Sequence, residues 1–187
     1  MAHQFAEIMF TDDVKMAQEH IGSRAQYERF TQGAGPNDAL SEQEATFIEQ
    51  RESFYMATVN ADGWPYVQHR GGPAGFLRVL GPQCLAYADF RGNKQMISVG
   101  NVATNNRVSL ILMDYPNRRR LKVLGHLRVK DAADVAGEER TRVDLPEYKA
   151  RIERVMYIDV VAFDWNCPQH ITQRYTEAEF AALVQDG

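Results

Sequence analysis

Cysteine is scarce in this chain. Cys84 and Cys167 are the only two among 187 residues, and neither has a second cysteine two or three positions away to form a metal-binding knuckle. The scarcity excludes disulfide-dense secreted scaffolds, and with no basic-then-apolar leader it points to free thiols in a reducing, cytoplasmic setting. Long apolar runs are missing too. No stretch approaches the roughly 18 residues of a membrane-spanning helix, so a soluble protein with no membrane partner is expected. Several chemical motifs are also absent. His3, His20, His69, His126 and His170 form no i,i+4 pair around a carboxylate, and Ser53, Ser98 and Ser109 lie in no Gly-x-Ser-x-Gly context. Neither GxGxxG nor GxxxxGK[ST] occurs, which sets aside the common dinucleotide and P-loop folds.

Positive charge is in deficit overall, with a net charge of −4 and a pI near 5.7, which argues against nucleic acid as a partner. The deficit is uneven. Between Trp64 and Lys130 eleven Lys and Arg face only Asp89 and Asp114, a net +9, and the rest of the chain carries −13. The middle of the chain therefore suits an anion. With 44% hydrophobic and 25% charged residues, positions 1–187 read as a single domain with one full core.

The chain opens with helix signals. Thr11 is a plausible N-cap for a run through Val14, Met16, Ala17, Ile21, Ala25, Tyr27 and Phe30, closed by the cluster from Gly33 to Asn37. Ser41 with Glu44 has capping-box form and starts a second helix running toward Arg51, so two N-terminal helices are expected. From Phe54 the pattern turns to β-branched and aromatic runs. FYMATVN and WPYVQHR around Ala61-Asp62-Gly63 give a hairpin, and Phe76–Leu80, Cys84–Ala88, Val108–Met113, Leu121–Lys130 and Val155–Trp165 read as further strands. Six or seven antiparallel strands at this spacing favour a closed or partly closed barrel. Gln95–Ala103 reads as a helix crossing between strands, Asp131–Ile152 as a helical excursion, and Thr176–Gln185 as a short amphipathic helix. The class expected is mainly β with peripheral helices.

Four segments of this map have residues suited to a ligand. Asp89-Phe-Arg-Gly-Asn-Lys94, between a strand and a helix, offers Arg91, Asn93, Lys94 and free backbone N–H groups to a terminal phosphate; its alternative is a solvated charged loop. His69-Arg70-Gly71-Gly72 ends a strand with a cation and two glycines, which suits a flat ligand or equally a simple turn. In Arg118-Arg119-Arg120 strand alternation sends Arg120 and Lys122 to one side and Arg119 to the other, so one pair can line a pocket. After the last strand, Trp165, Asn166, Gln169, His170 and Arg174 form a rim fit to grip a ring, although tryptophan is more often core.

The order of these pieces resembles the pyridoxamine 5′-phosphate oxidase-like family of FMN-binding split β-barrels, in particular a bacterial branch of flavin-nucleotide-binding proteins. The resemblance runs from about Phe54 to Arg174 and rests on FYMATVNADGWPYVQHRGG, LAYADFRGNKQ, NNRVSLILMDYPNRRRLKVLGHLRV and FDWNCPQHITQRY in that order. It implies an antiparallel split β-barrel and a homodimer with FMN at the interface. By the same resemblance Asn93 and Lys94 stand where the family grips the phosphate, with Arg91 replacing a missing arginine charge. Tyr87 and Ala88 stand where that strand's backbone meets the flavin, and Gln68, His69, Arg70 and Gly71 where a strand contacts the ring. Arg120 takes a position at which a glutamine commonly reaches the ring. Trp165 and Arg174 resemble residues that close the site from the partner subunit.

Two departures stand out. Relatives that oxidise pyridoxamine phosphate carry Arg-Leu-His-Asp-Arg after the tryptophan, whereas this chain has His170-Ile-Thr-Gln-Arg174, an incomplete clamp for the substrate phosphate. About four extra residues, roughly one helical turn, separate Lys94 from Asn105-Asn106-Arg107. The function expected is FMN-dependent hydride transfer at flavin N5 to or from a small molecule. A flavin carrier without turnover, or a β-barrel module whose basic rim binds an acidic partner, are the alternatives.

Overall fold

A computed structural model describes residues 3–33, 35–165 and 167–185. Where two N-terminal helices are expected, four form: α1 (Gln4–Met9), α2 (Asp12–His20), α3 (Arg24–Gly33) and α4 (Glu42–Glu49). Thr11 does cap α2, its hydroxyl accepting from the Val14 N–H. The run predicted to continue to Phe30 is cut at Gly22, whose φ of +76° takes the left-handed conformation that commonly ends a helix. The capping box at Ser41 and Glu44 is formed in both directions and starts α4, which inserts Phe47 and Ile48 into the core.

Seven strands follow: β1 (Ser53–Val59), β2 (Pro65–Gly71), β3 (Leu77–Gly81), β4 (Cys84–Phe90), β5 (Arg107–Asp114), β6 (Arg119–Asp131) and β7 (Ile152–Trp165). They form one sheet in the order β2-β1-β5-β6-β7-β4-β3, every neighbouring pair antiparallel. The sheet curls until strands far apart in that order face each other. The ring of Phe54 on β1 meets that of Tyr87 on β4 at 5.3 Å, and Phe76 stacks on Phe54 at 5.7 Å. This is the split barrel, open between its edge strands β2 and β3. β1 and β5 bury alternate residues around this core, and β6 does so until its exposed end.

β4 and the middle of β7 are buried on both faces, which explains their unbroken apolar runs. Their outer face is covered by the segment between β6 and β7, where Val135 and Val143 pack against Ala86, Ala88, Val155 and Tyr157. That segment was expected to be helical, yet only α6 (Gly137–Thr141) forms. Pro146 and Asp144 favour turns there, and the segment is held by the two buried valines, the Lys130–Glu139 ion pair and the contact of Tyr148 with Phe90. Gly125 lies at a register shift between β6 and β7, and a Cβ on it would stand 2.7 Å from the Asp159 carbonyl oxygen, so only glycine allows this approach. The crossing helix α5 spans Ile97–Thr104, two residues later than expected at its start, and α7 spans Glu177–Gln185. No helix among the described residues is long and apolar enough to cross a membrane.

Candidate anion-binding cleft

On β2, alternation turns Tyr66, Gln68 and Arg70 inward and leaves Val67 and His69 outside. Opposite them, β4 ends at Asp89 and Phe90, and residues 91–96 lead without regular structure into α5. The helix is tied to the barrel by two side-chain hydrogen bonds: Ser98 Oγ donates to Gln68 Oε1 at 2.9 Å, and Asn101 Nδ2 donates to Thr58 Oγ1 at 2.9 Å. Between these elements lies a cleft of about 70 Å³ lined among others by Gln68, Arg70, Asn93, Lys94, Ser98 and Arg154.

The floor of the cleft is a buried charge cluster. Asp89 is 7% exposed and accepts from Arg70 Nη1 at 2.9 Å and Arg154 Nε at 2.8 Å, with Arg154 Nη2 in ion-pair contact at 2.7 Å. The register of β4 on β7 pairs Asp89 with Arg154, which brings the second guanidinium to the floor. Glu153 lies 3.6 Å from Arg154 and 3.8 Å from Arg91, so four cations, Arg70, Arg154, Arg91 and the exposed Lys94, stand around two carboxylates, Asp89 and Glu153, leaving two positive charges over. Among the described residues Arg70 Nε is buried with no hydrogen-bond partner. Beneath it, burial pushes the Tyr87 hydroxyl far above the ordinary range despite the Arg70 cation nearby, so this ring stays neutral under the guanidinium.

The loop above is strained. Lys94 and Met96 hold φ of +59° and +58°, a conformation that costs non-glycine residues about 1–3 kcal/mol each. Asn93 Oδ1 steadies the loop by accepting from the Gln95 N–H at 3.1 Å. α5 then begins with no side-chain cap, and its first residues, Ile97, Ser98 and Val99, line the cleft. An uncapped first turn leaves N–H donors at the positive end of the helix, a setting suited to an anion.

Of the residues singled out in the sequence, the cleft brings together Gln68, Arg70, Asn93 and Lys94. Arg91 stands at its margin with Glu153 at 3.8 Å, and Tyr87 and Ala88 are core residues of the strand that supports it. His69 packs edge-on against Tyr55 on the outer face, and Gly71 ends β2 opposite Ser53. The remaining three lie elsewhere in the single chain. Arg120 is on the outer face of β6, its Nε also buried without a partner among the described residues. Trp165 donates from Nε1 to Glu44 Oε1 at 2.7 Å, meets Phe47 edge to face and lies under the Arg119 guanidinium, and Arg174 lies over the Tyr115 ring at 5.1 Å. Asn166 falls outside the described residues. The alternation at 119–122 is as read from the sequence: Arg119 faces α4, whereas Lys122 turns toward α1.

Sequence reasoning missed Arg154, Ser98 and Tyr66. The signal for Arg154 was indirect: Asp89, one of two acids in a strongly basic stretch and destined for burial, needed a cation that only strand register could name. Among the described residues no three His, Cys, Asp or Glu side chains gather as metal ligands.

A family model described as pyridoxamine 5′-phosphate oxidase matches residues 40–159, which spans α4, strands β1 to β6 and the first half of β7. The chain belongs to this family. No curated protein matches it in sequence. Among solved structures, a candidate pyridoxamine 5′-phosphate oxidase of Lactobacillus delbrueckii is similar over 68% of this chain and 94% of its own, at 23% identity and a TM-score of 0.52. HupZ of Group A Streptococcus is similar over 73% of this chain and 99% of its own, at 13% identity and a TM-score of 0.54. At these identities the likeness is one of fold, the split barrel. The family match leaves α1, α2 and α3 outside its bounds.

Proposed function

We propose that this member of the family is an FMN-dependent oxidoreductase acting on a small molecule, with the FMN phosphate held in the cleft. The observation that carries the reading is the surplus of two positive charges beside an uncapped helix start. Lys94 and the Arg70 guanidinium meet the phosphate charge, Asn93 and the first turn of α5 add neutral donors, and the Asp89 carboxylate fixes both arginines in place. A terminal phosphate fits a space of this size, but a tricyclic ring does not, since pockets for whole cofactors run to about 300–1,000 Å³. The ring therefore lies outside the cleft, against a second surface. A homodimer supplies that surface, with Trp165 and Arg174 of one chain closing the site of the other and Arg120 as a cation near the ring.

Bound FMN supplies a two-electron carrier that exchanges hydride at its N5. What the chain itself does is anchor the phosphate, orient the ring through Gln68 and the β2 and β4 backbones at His69, Gly71, Tyr87 and Ala88, and place positive charge where the reduced ring is anionic. No protein nucleophile is required.

Titration with FMN and with riboflavin tests the reading. The purified protein should show flavin absorption or acquire it on adding FMN, bind riboflavin far more weakly, and lose FMN affinity as salt rises. A colourless protein that ignores FMN, or one that binds both equally, overturns it. Reduction of the bound flavin by NADH or NADPH then separates an oxidoreductase from a carrier.

A further inference from the structure

The three N-terminal helices outside the family match border a second cavity, open to solvent along its rim, where Tyr27 is 43% and Phe30 57% exposed. α1, α2 and α3 fold over the outer face of β6 and β7 and leave a space of about 570 Å³, within the range of small-molecule pockets. It shares no lining residue with the cationic cleft. Four benzene-type rings line it: Phe5, Phe10, Tyr27 and Phe30. Phe10 and Tyr27 meet edge to face at 5.6 Å, and Phe30 lies 5.9 Å from the ring of His3, itself 2% exposed.

One wall carries two opposite charges. Lys122 and Asp164 stand 3.8 Å apart, and Asp164 is 3.8 Å from His3 Nε2. These are ion-pair distances, too long for hydrogen bonds. Among the described residues neither Lys122 Nζ nor the Asp164 carboxylate makes a hydrogen bond. Asp164 is partly buried, 19% exposed in its side chain, with its acceptor oxygens open to the cavity beside the Lys122 ammonium donor, 34% exposed. The contrast with Asp89, held by two hydrogen bonds and a further ion-pair contact at 2.7 Å, is sharp. Burial raises the Asp164 carboxyl above its ordinary range, against the pull of Lys122 and His3, as expected for a carboxylate that lacks hydrogen bonds.

We propose that this cavity binds a flat aromatic molecule carrying an uncharged amide edge, its carbonyl accepting from Lys122 and its N–H donating to Asp164. The rings supply faces and edges for a planar body. The paired charges favour a neutral head with one donor and one acceptor. A carboxylate would confront Asp164 and an ammonium would confront Lys122, so each single charge satisfies one partner and repels the other.

Three probes with the same ring separate these cases: 2-naphthamide, 2-naphthoate and 2-naphthylmethylammonium, titrated against the full-length protein by naphthyl fluorescence and ligand-observed NMR. The expected result is one site per chain with the amide bound most tightly. Lys122→Met and Asp164→Leu should each weaken the amide by about tenfold, the scale of one hydrogen bond to a charged group. Phe30→Ala should weaken all three probes. A preference for either charged probe, or an amide affinity unchanged in both charge variants, overturns the proposal, as does the absence of saturable binding. FMN titration of the same variants should be unaltered. If the variants lose FMN instead, the cavity is not a separate site and the proposal falls, while the reading of the cationic cleft stands or falls on its own titration.

Discussion

Asp89, on β4 beside the first residues of β7, and Asp164, near the last residue of β7, both have cations close by. Asp89 is saturated: Arg70 and Arg154 reach it at 2.7 to 2.9 Å, and the cluster still has positive charge to spare. Asp164 is unsaturated: Lys122 and His3 stand at 3.8 Å. The first arrangement builds a fixed cationic floor, ready for an anion without rearrangement. The second leaves one donor and one acceptor unused in an apolar wall. Short distances thus mark a scaffold, and long ones in a partly buried setting mark groups still able to take a partner.

The largest test of this contrast is removal of each carboxylate. Asp89→Ala strands two guanidiniums that are each 14% exposed and should destabilise the fold by about 3–5 kcal/mol in urea unfolding. Asp164→Asn removes a charge that was poorly compensated and should cost little. Equal losses in the two variants would break the comparison.

Next in size is the ligand effect. Lys94→Ala should weaken FMN by about 1.5–3 kcal/mol in a binding titration and leave the unfolding midpoint unchanged, since the side chain is exposed. Unchanged FMN affinity would remove Lys94 from the phosphate site.

Smaller effects appear in the pH dependence of unfolding, with opposite signs for two carboxyls. Asp164 holds its proton more tightly in the folded chain than in the unfolded one. The stability that proton confers is complete at low pH and is lost as pH rises through the raised value, and Asp164→Asn should flatten this loss. For Glu44 burial pushes upward, but hydrogen bonds from Ser41 and Trp165 more than offset it and hold the carboxyl below its ordinary range. Its contribution is present above that range and is lost as pH falls through the lowered value, so Glu44→Gln should flatten the acid limb. The smallest effect belongs to Arg174→Ala, which removes an exposed contact with the Tyr115 ring and should cost about 0.5–1 kcal/mol in thermal unfolding. A far larger drop in FMN affinity in that variant would support its role at a partner's site.

Much of the barrel was legible because local rules agree with the final structure. The capping box at Ser41 and Glu44, the hairpin around Asp62-Gly63 and the alternation from Leu121 to Leu127 all describe contacts within a few residues or one face of a strand. The N-terminal region was less legible. A single left-handed turn at Gly22 splits what periodicity joins into one helix. The segment from Asp131 to Ile152 was misread because its shape comes from where Val135 and Val143 find cover and not from its own helical preference.

For the site, the sequence by itself determined that a basic loop runs from Arg91 to Lys94 after a strand and before a helix, since charge density, chain direction and turn residues are local properties. Tertiary structure alone decided that Arg154, sixty positions beyond Lys94, shares Asp89 with Arg70, because that meeting depends on the register of β4 against β7. It alone also folded α1, α2 and α3 over the outer face of β6 and β7 to border the aromatic cavity. The physical reason is the same in each case. Hydrogen-bond register and the curl of a sheet bring together groups whose distance along the chain carries no information about their distance in space.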